Sequence, residues 1–143
     1  GHHLYLHSYP TRRSSDLVYN PVADQSIARV DDAGLLGGVL FQAYTGASIG
    51  IHMAGFSDRW ANRDMLWAAF HYPFVQLQCQ RIFGQVPETN TAALEINLKL
   101  GFKEVARIPG VYDDGAAVIF AMEKDQCRWL NLTPREIRPN RRF

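Results

Sequence analysis

Between residues 25 and 123 the apolar positions change period several times, and each change marks an element. "QSIARVDDAG" (25–34) alternates and ends in Asp31-Asp32-Ala33-Gly34, which predicts a strand and a hairpin turn. "LLGGVLFQAYTGASIGIHMAGF" (35–56) predicts two more strands around Thr45-Gly46. In the second of these, Ile49, Ile51 and Met53 fall on one face, and Gly50, His52 and Ala54 on the other. One face is built for packing. The opposite face is small except for a single imidazole, and that asymmetry leaves space.

"SDRWANRDMLWAAFHYPFVQLQ" (57–78) moves to a helical pattern, with Leu66, Ala69, Phe70, Phe74 and Leu77 near a 3.6 period. Ser57, Asp58 and Asn62 are candidate caps for its start, and Pro73 should kink it. "CQRIFGQV" (79–86) is strand-like again, and "TAALEINLKLG" (91–101) predicts a short helix capped by Asn90 and stopped by Gly101. "FKEVARIPGVY" and "AAVIFAMEK" flank Asp113-Asp114-Gly115, a hairpin signal. The predicted order is three strands, helix, strand, helix, two strands, with no internal repeat and no interdomain linker. A strand–helix–strand unit followed by a second helix suits a mixed sheet that splits at its parallel pair. The crevice beyond the ends of such strands is where these sheets bind ligands. "PETNTAALEINLKLGF" borders that crevice, with Asn90 at its lip.

Residues 1–17, "GHHLYLHSYPTRRSSDL", stand apart. They show no sustained period of 2 or 3.6 and lack the apolar core of a secretory signal. "HSYPTRRSSDL" resembles the translation of a sequencing adapter, so we set 1–17 aside as a non-native segment and expect the folded domain over 18–130. Setting aside Arg12, Arg13 and Asp16 from 15 Lys+Arg and 14 Asp+Glu leaves the remainder neutral. Arg135, Arg138, Arg141 and Arg142 concentrate in the tail over 131–143, so the body is slightly acidic. A phosphate-backbone binder would carry a basic face instead, which makes nucleic acid an unfavoured partner. The tail reads as a solvated end. No apolar run approaches the roughly 18 residues of a membrane helix. Cys79 and Cys127 form no metal or disulfide spacing, which favours free thiols in a reducing cytoplasm and no metal site.

"NTAALEINLKLGF" resembles the last motif of the GCN5-related N-acetyltransferases (GNAT), with Asn90, Ala93, Leu100, Gly101 and Phe102 in register. The segment 35–77 looks especially like the small acetyltransferase-like proteins of phages and bacterial genomes. The resemblance implies an α/β (α+β) fold: a mixed, mostly antiparallel sheet with a splayed central parallel pair and flanking helices. The family's first strand and helices would precede residue 18, so these N-terminal elements are short or missing here, and with them one wall of the acceptor site.

By the same resemblance, acetyl-CoA would lie between the splayed strands. Its pantetheine arm would bond the backbone near His52, Met53, Ala54 and Gly55, and its pyrophosphate would sit on the loop Arg59, Trp60, Ala61, Asn62, Arg63 and Asp64. Free amides at a helix start, with the positive end of its dipole, favour a phosphate. Arg59 agrees with the family pattern, whereas Asn62 and Asp64 replace its glycine and small residue. Asp64 suits an anion site only if it points away or pairs with Arg63. Asn90 would bond the pantetheine arm, cap its helix, or do both. The position where the family often carries a tyrosine acid is Asn97, which leaves that proton to water or to another tyrosine, Tyr44 or Tyr112, with Tyr44 as the candidate. His52 is the candidate base, since a near-neutral imidazole accepts a proton from an ammonium. Glu95 reads as solvated, Trp60, Trp67 and Phe70 as packing, and His71 has no assigned chemistry.

The expectation is an acetyl-CoA-dependent N-acetyltransferase acting on a primary amine, small or protein-borne, without a metal. The alternative is a non-catalytic module of the same fold that binds a partner, which Asn62, Asp64 and Asn97 favour. The edge strands and the helix bent at Pro73 offer surfaces for a homodimer without demanding one.

Overall fold

A computed structural model of the chain describes residues 3–7, 25–32, 34–55 and 62–133. The strands are β1 (His3–His7), β2 (Gln25–Asp31), β3 (Gly34–Gln42), β4 (Ser48–Gly55), β5 (Arg81–Pro87), β6 (Lys103–Tyr112) and β7 (Gly115–Glu123). They form one sheet in the order β1-β2-β3-β4-β5-β7-β6. Every neighbouring pair is antiparallel except β4–β5. Helix α1 (Arg63–His71) joins β4 to β5, and α2 (Thr91–Leu100) joins β5 to β6.

Every strand and helix expected after residue 24 is present, and the sheet has the mixed, mostly antiparallel character that was anticipated. One difference lies in the segment set aside. His3–His7 runs as an edge strand against β2, from His3 opposite Val30 to His7 opposite Ser26. A sheet edge offers unpaired N–H and C=O groups that any extended backbone can meet, so this pairing needs no apolar period.

The register sorts side chains into two faces. Ile27, Val39, Phe41, Ile49, Ile51 and Ile82 share one face with Phe120 and Met122, and all are buried. Met65, Ala69 and Phe70 of α1, with Leu100 and Phe102 at the end of α2, close that face into a single core. Each fully buried side chain of this size contributes about 1.5–3 kcal/mol. Phe70 meets Phe102 at a ring separation of 6.0 Å and stacks on Trp129 at 6.4 Å.

Pro73 acts as expected, by a particular route. It has no N–H to continue the α ladder, so the chain widens into a π-helical turn over Tyr72–Gln76. The Leu77 N–H donates to the Tyr72 carbonyl at 3.0 Å, and the Cys79 N–H to the Pro73 carbonyl at 2.9 Å. The end of α2 also matches its sequence signal: Gly101 is left-handed at φ 104°, where a side chain would cost roughly 1–2 kcal/mol. Edge strand β6 is exposed almost throughout, yet two register breaks and Pro109 interrupt it. Such breaks disfavour edge-to-edge pairing.

Cys79 and Cys127 are free, buried thiols, and burial pushes both upward in pKa. No described helix is long and apolar enough to cross a membrane.

Candidate functional site

The parallel pair decides the geometry. β4 and β5 share three register pairs, Ser48–Arg81, Ile49–Ile82 and Gly50–Phe83. β4 nevertheless continues to Gly55 and β5 to Pro87. Beyond Gly50 and Phe83 the two strands part. Their opposite edges stay occupied, β4 by β3 through Gly37–Gly55 and β5 by β7 through Pro87–Ala117. The opening is therefore a gap inside the sheet and not a frayed end.

Two glycines mark its vertex. A Cβ at Gly50 would stand 3.1 Å from the Gln42 carbonyl oxygen and 3.4 Å from the Phe83 ring, which lies over it. A Cβ at Gly84 would stand 3.1 Å from the Ile51 carbonyl oxygen. Small residues let the strands meet here and separate just beyond.

His52 lies two residues past Gly50, on the face away from the main core. Its Nε2 is buried and, among the described residues, has no hydrogen-bond partner. Burial lowers its pKa from 6.5, which keeps the ring neutral near pH 7. A buried, neutral, unpartnered imidazole nitrogen beside a gap is poised to exchange a proton with whatever enters. His71 differs: it stacks on Trp67 at 4.0 Å along α1.

Both helices begin at the open end, because α1 follows β4 and α2 follows β5. Asn62 is extended and caps α1, accepting from the Met65 N–H at 2.8 Å. The Leu66 N–H donates to the Asn62 carbonyl at 2.9 Å. Earlier N–H groups of the first turn have no acceptor within the helix, as at any helix start. Asp64, whose charge would oppose an anion there, is only 8% exposed, turned into the protein and engaged, while Arg63 is exposed. Arg59, Trp60 and Ala61 lie outside the described residues.

Asn90 caps α2 and accepts from the Ala93 N–H at 3.1 Å. Its carbonyl oxygen is thus committed to the helix, while its amide N–H₂ is the part left for a ligand. Asn97 donates to the Ala93 carbonyl at 2.8 Å, so its amide is engaged within α2. Met53, Ala54 and Gly55 line the β4 wall past the vertex, where the β5-facing edge has no ladder partner.

The tyrosines separate. Tyr44 follows β3, next to the start of β4, and its hydroxyl donates to the Leu77 carbonyl at 3.3 Å. That is the closed end of the pair, so the candidate acid Tyr44 is not at the opening; the β3–β4 connection holds it at the other end. Tyr112 ends β6 and comes to the open end, where its hydroxyl oxygen accepts from Gln85 Nε2 at 2.9 Å. Sequence reading missed Gln85 altogether. Carrying the register two residues past the last pair, Gly50–Phe83, sets it level with His52.

Among the described residues no cluster of His, Cys, Asp and Glu is arranged to hold a metal. No protein-family model and no curated protein sequence matches the chain. Solved structures do. A dodecameric spermidine N-acetyltransferase from Vibrio cholerae in an intermediate state aligns with a TM-score of 0.64 and 18% identity, over 76% of this chain and 68% of that one. The fold is that of the GCN5-related N-acetyltransferases. Spermidine/spermine N-acetyltransferase from the same organism, in complex with manganese ions, aligns at 0.62 and 18%, over 72% and 66% of the two chains. A GNAT-family acetyltransferase from Bacillus anthracis aligns at 0.59 and 15%, over 72% and 67%. The GNAT likeness lies in the architecture, because identity this low carries little residue-level information.

Proposed function

We propose that the chain is an acetyl-CoA-dependent N-acetyltransferase whose acceptor is a primary amine. The observation that carries this reading is the parting of β4 from β5 after Gly50 and Phe83, with His52 beside the gap. The site fits the co-substrate. β4 past the vertex presents an unladdered backbone edge to a pantetheine arm, lined by Gly50 and Ala54. The first turn of α1 starts at the same end, where the positive end of the helix dipole suits a pyrophosphate.

Acetyl-CoA would supply a thioester carbonyl. The backbone near Met53 and Ala54 holds the carbonyl oxygen as negative charge builds on it, the role of an oxyanion hole. His52, directly or through a water, takes a proton from the acceptor ammonium. The freed amine nitrogen attacks the carbonyl carbon, the nitrogen gives up its extra proton to solvent as the carbon–sulfur bond breaks, and the thiolate leaves to take a proton from solvent. No covalent bond to the protein forms. Asn90 holds the pantetheine arm with its amide N–H₂.

A second reading, a non-catalytic module of this fold that binds a partner, is favoured by Asn97, whose amide is committed to the Ala93 carbonyl where a proton donor is expected. One experiment separates the two. Acetyl-CoA or coenzyme A should raise the thermal midpoint, and mass spectrometry should detect acetylated product from an amine panel that disappears in His52→Ala. Absence of stabilisation up to millimolar coenzyme A would sink the transferase reading. Stabilisation without transfer to any amine would favour the binding module.

A further inference from the structure

The three register pairs of β4 and β5 predict the next pair on the same face: His52 opposite Gln85. The strands part before that pair closes, so the two side chains stand at the same height on opposite walls of the gap. Gln85 is exposed and does not reach across to His52, whose Nε2 has no partner among the described residues. Instead its Nε2 donates to the Tyr112 hydroxyl oxygen at 2.9 Å. β7 lies between β6 and β5, so the Tyr112 ring must cross β7 to make this bond. Ala117, on that face of β7, is fully buried, as a small residue beneath a ring would be.

The direction of the bond sets its chemistry. A phenolic oxygen commonly accepts one hydrogen bond and donates one. Here acceptance is taken by Gln85, so the Tyr112 O–H is left to donate to a group that comes beside it. From this we infer that Tyr112 binds the acceptor by donating to an oxygen beside the reacting amine, with Gln85 as the positioning residue. The favoured acceptor class is an amine bearing a nearby oxygen, such as an amino amide or an amino ether, over a plain alkylamine. The inference rests on the transferase reading, and it concerns only the acceptor side of the gap.

The test compares 2-methoxyethylamine with butylamine, which match in length and differ by one ether oxygen. In Tyr112→Phe, kcat/KM for 2-methoxyethylamine should fall roughly tenfold, the scale of one hydrogen bond between uncharged groups. Butylamine should be unaffected, and so should the thermal shift with coenzyme A. In Gln85→Leu the same acceptor should lose efficiency through KM with kcat unchanged. An equal fall for both amines, or no fall for either, overturns the assignment while leaving the transferase reading in place. If the wild-type protein acetylates neither amine yet acetylates others, the acceptor class is wrong. If it transfers to no amine at all, the transferase reading fails and this inference fails with it.

Discussion

The two halves of the β4–β5 pair have opposite designs. In the closed half, Ile49 and Ile82 are buried side by side, and the Gln80 N–H donates to the Ala47 carbonyl at 2.8 Å. The Lys124 N–H donates to the Gln80 carbonyl at 3.0 Å, and the Arg81 guanidinium donates to Glu123 at 2.7 Å. Tyr44 and Leu77 tie the neighbouring loops together. In the open half the ladder stops, and the buried His52 Nε2 has no hydrogen-bond partner among the described residues. Unsatisfied groups cost stability, so a fold tolerates them where something else is meant to satisfy them. On the proposed reading the closed half supports stability and the open half supports chemistry, and substitutions should separate accordingly.

The largest effect belongs to the open half. His52→Ala should lower acetyl transfer by about 10²–10⁴-fold, the range for loss of a general base, with little change in the thermal midpoint because Nε2 has no hydrogen bond to lose among the described residues. Steady-state kinetics beside a melting curve checks both parts, and a large fall in midpoint would contradict the contrast. In the closed half, Ile82→Ala should cost about 2–5 kcal/mol in chemical denaturation and leave the KM for acetyl-CoA unchanged in the folded fraction. Gly84→Ala probes the vertex itself. The added methyl would press on the Ile51 carbonyl 3.1 Å away, which should cost roughly 1–3 kcal/mol and also alter coenzyme A affinity, since β4 must shift. Asn62→Ala removes the α1 cap and should cost about 1 kcal/mol, together with weaker coenzyme A binding by isothermal titration if the first turn holds the pyrophosphate.

The pH profile is the finest probe. Burial lowers the His52 pKa in the folded state, so the unfolded chain binds more protons between that value and 6.5. Stability therefore rises with pH through this window and is lost on acidification below 6.5. His71 is shifted in the same direction. His52→Gln should flatten part of the dependence, and His71→Gln a further part. On the catalytic side, the acid limb of kcat/KM should fall below 6.5; a limb above it would remove His52 from the base role.

Much of the site was legible in the residues. The alternation of 48–55 put His52 on the face away from the main core because the period of a strand is 2. Asn90, Gly101 and Phe102 announced the start and stop of α2, since caps and left-handed stops are local chemistry. Pro73 announced a break in its helix but not the π-helical form, which depends on where Cys79 and Leu77 find carbonyls. Tyr44 and Tyr112 were indistinguishable as letters. Tyr44 follows β3 and Tyr112 ends β6, and only the strand order shows that one strand ends at the closed side of the pair and the other at the open side.

After residue 24 the sequence by itself determined the strands and helices, their order and the face each strand side chain takes, because periodicity, capping and proline act within a few residues. The tertiary structure alone decided where β4 and β5 part, which tyrosine lies on the strand that ends at the open side, and that Gln85 bonds Tyr112. Those are relations between strands about thirty positions apart, set by register and by the close contact at Gly50 and Gly84. No local pattern encodes a distance between two chains of atoms that meet only after folding.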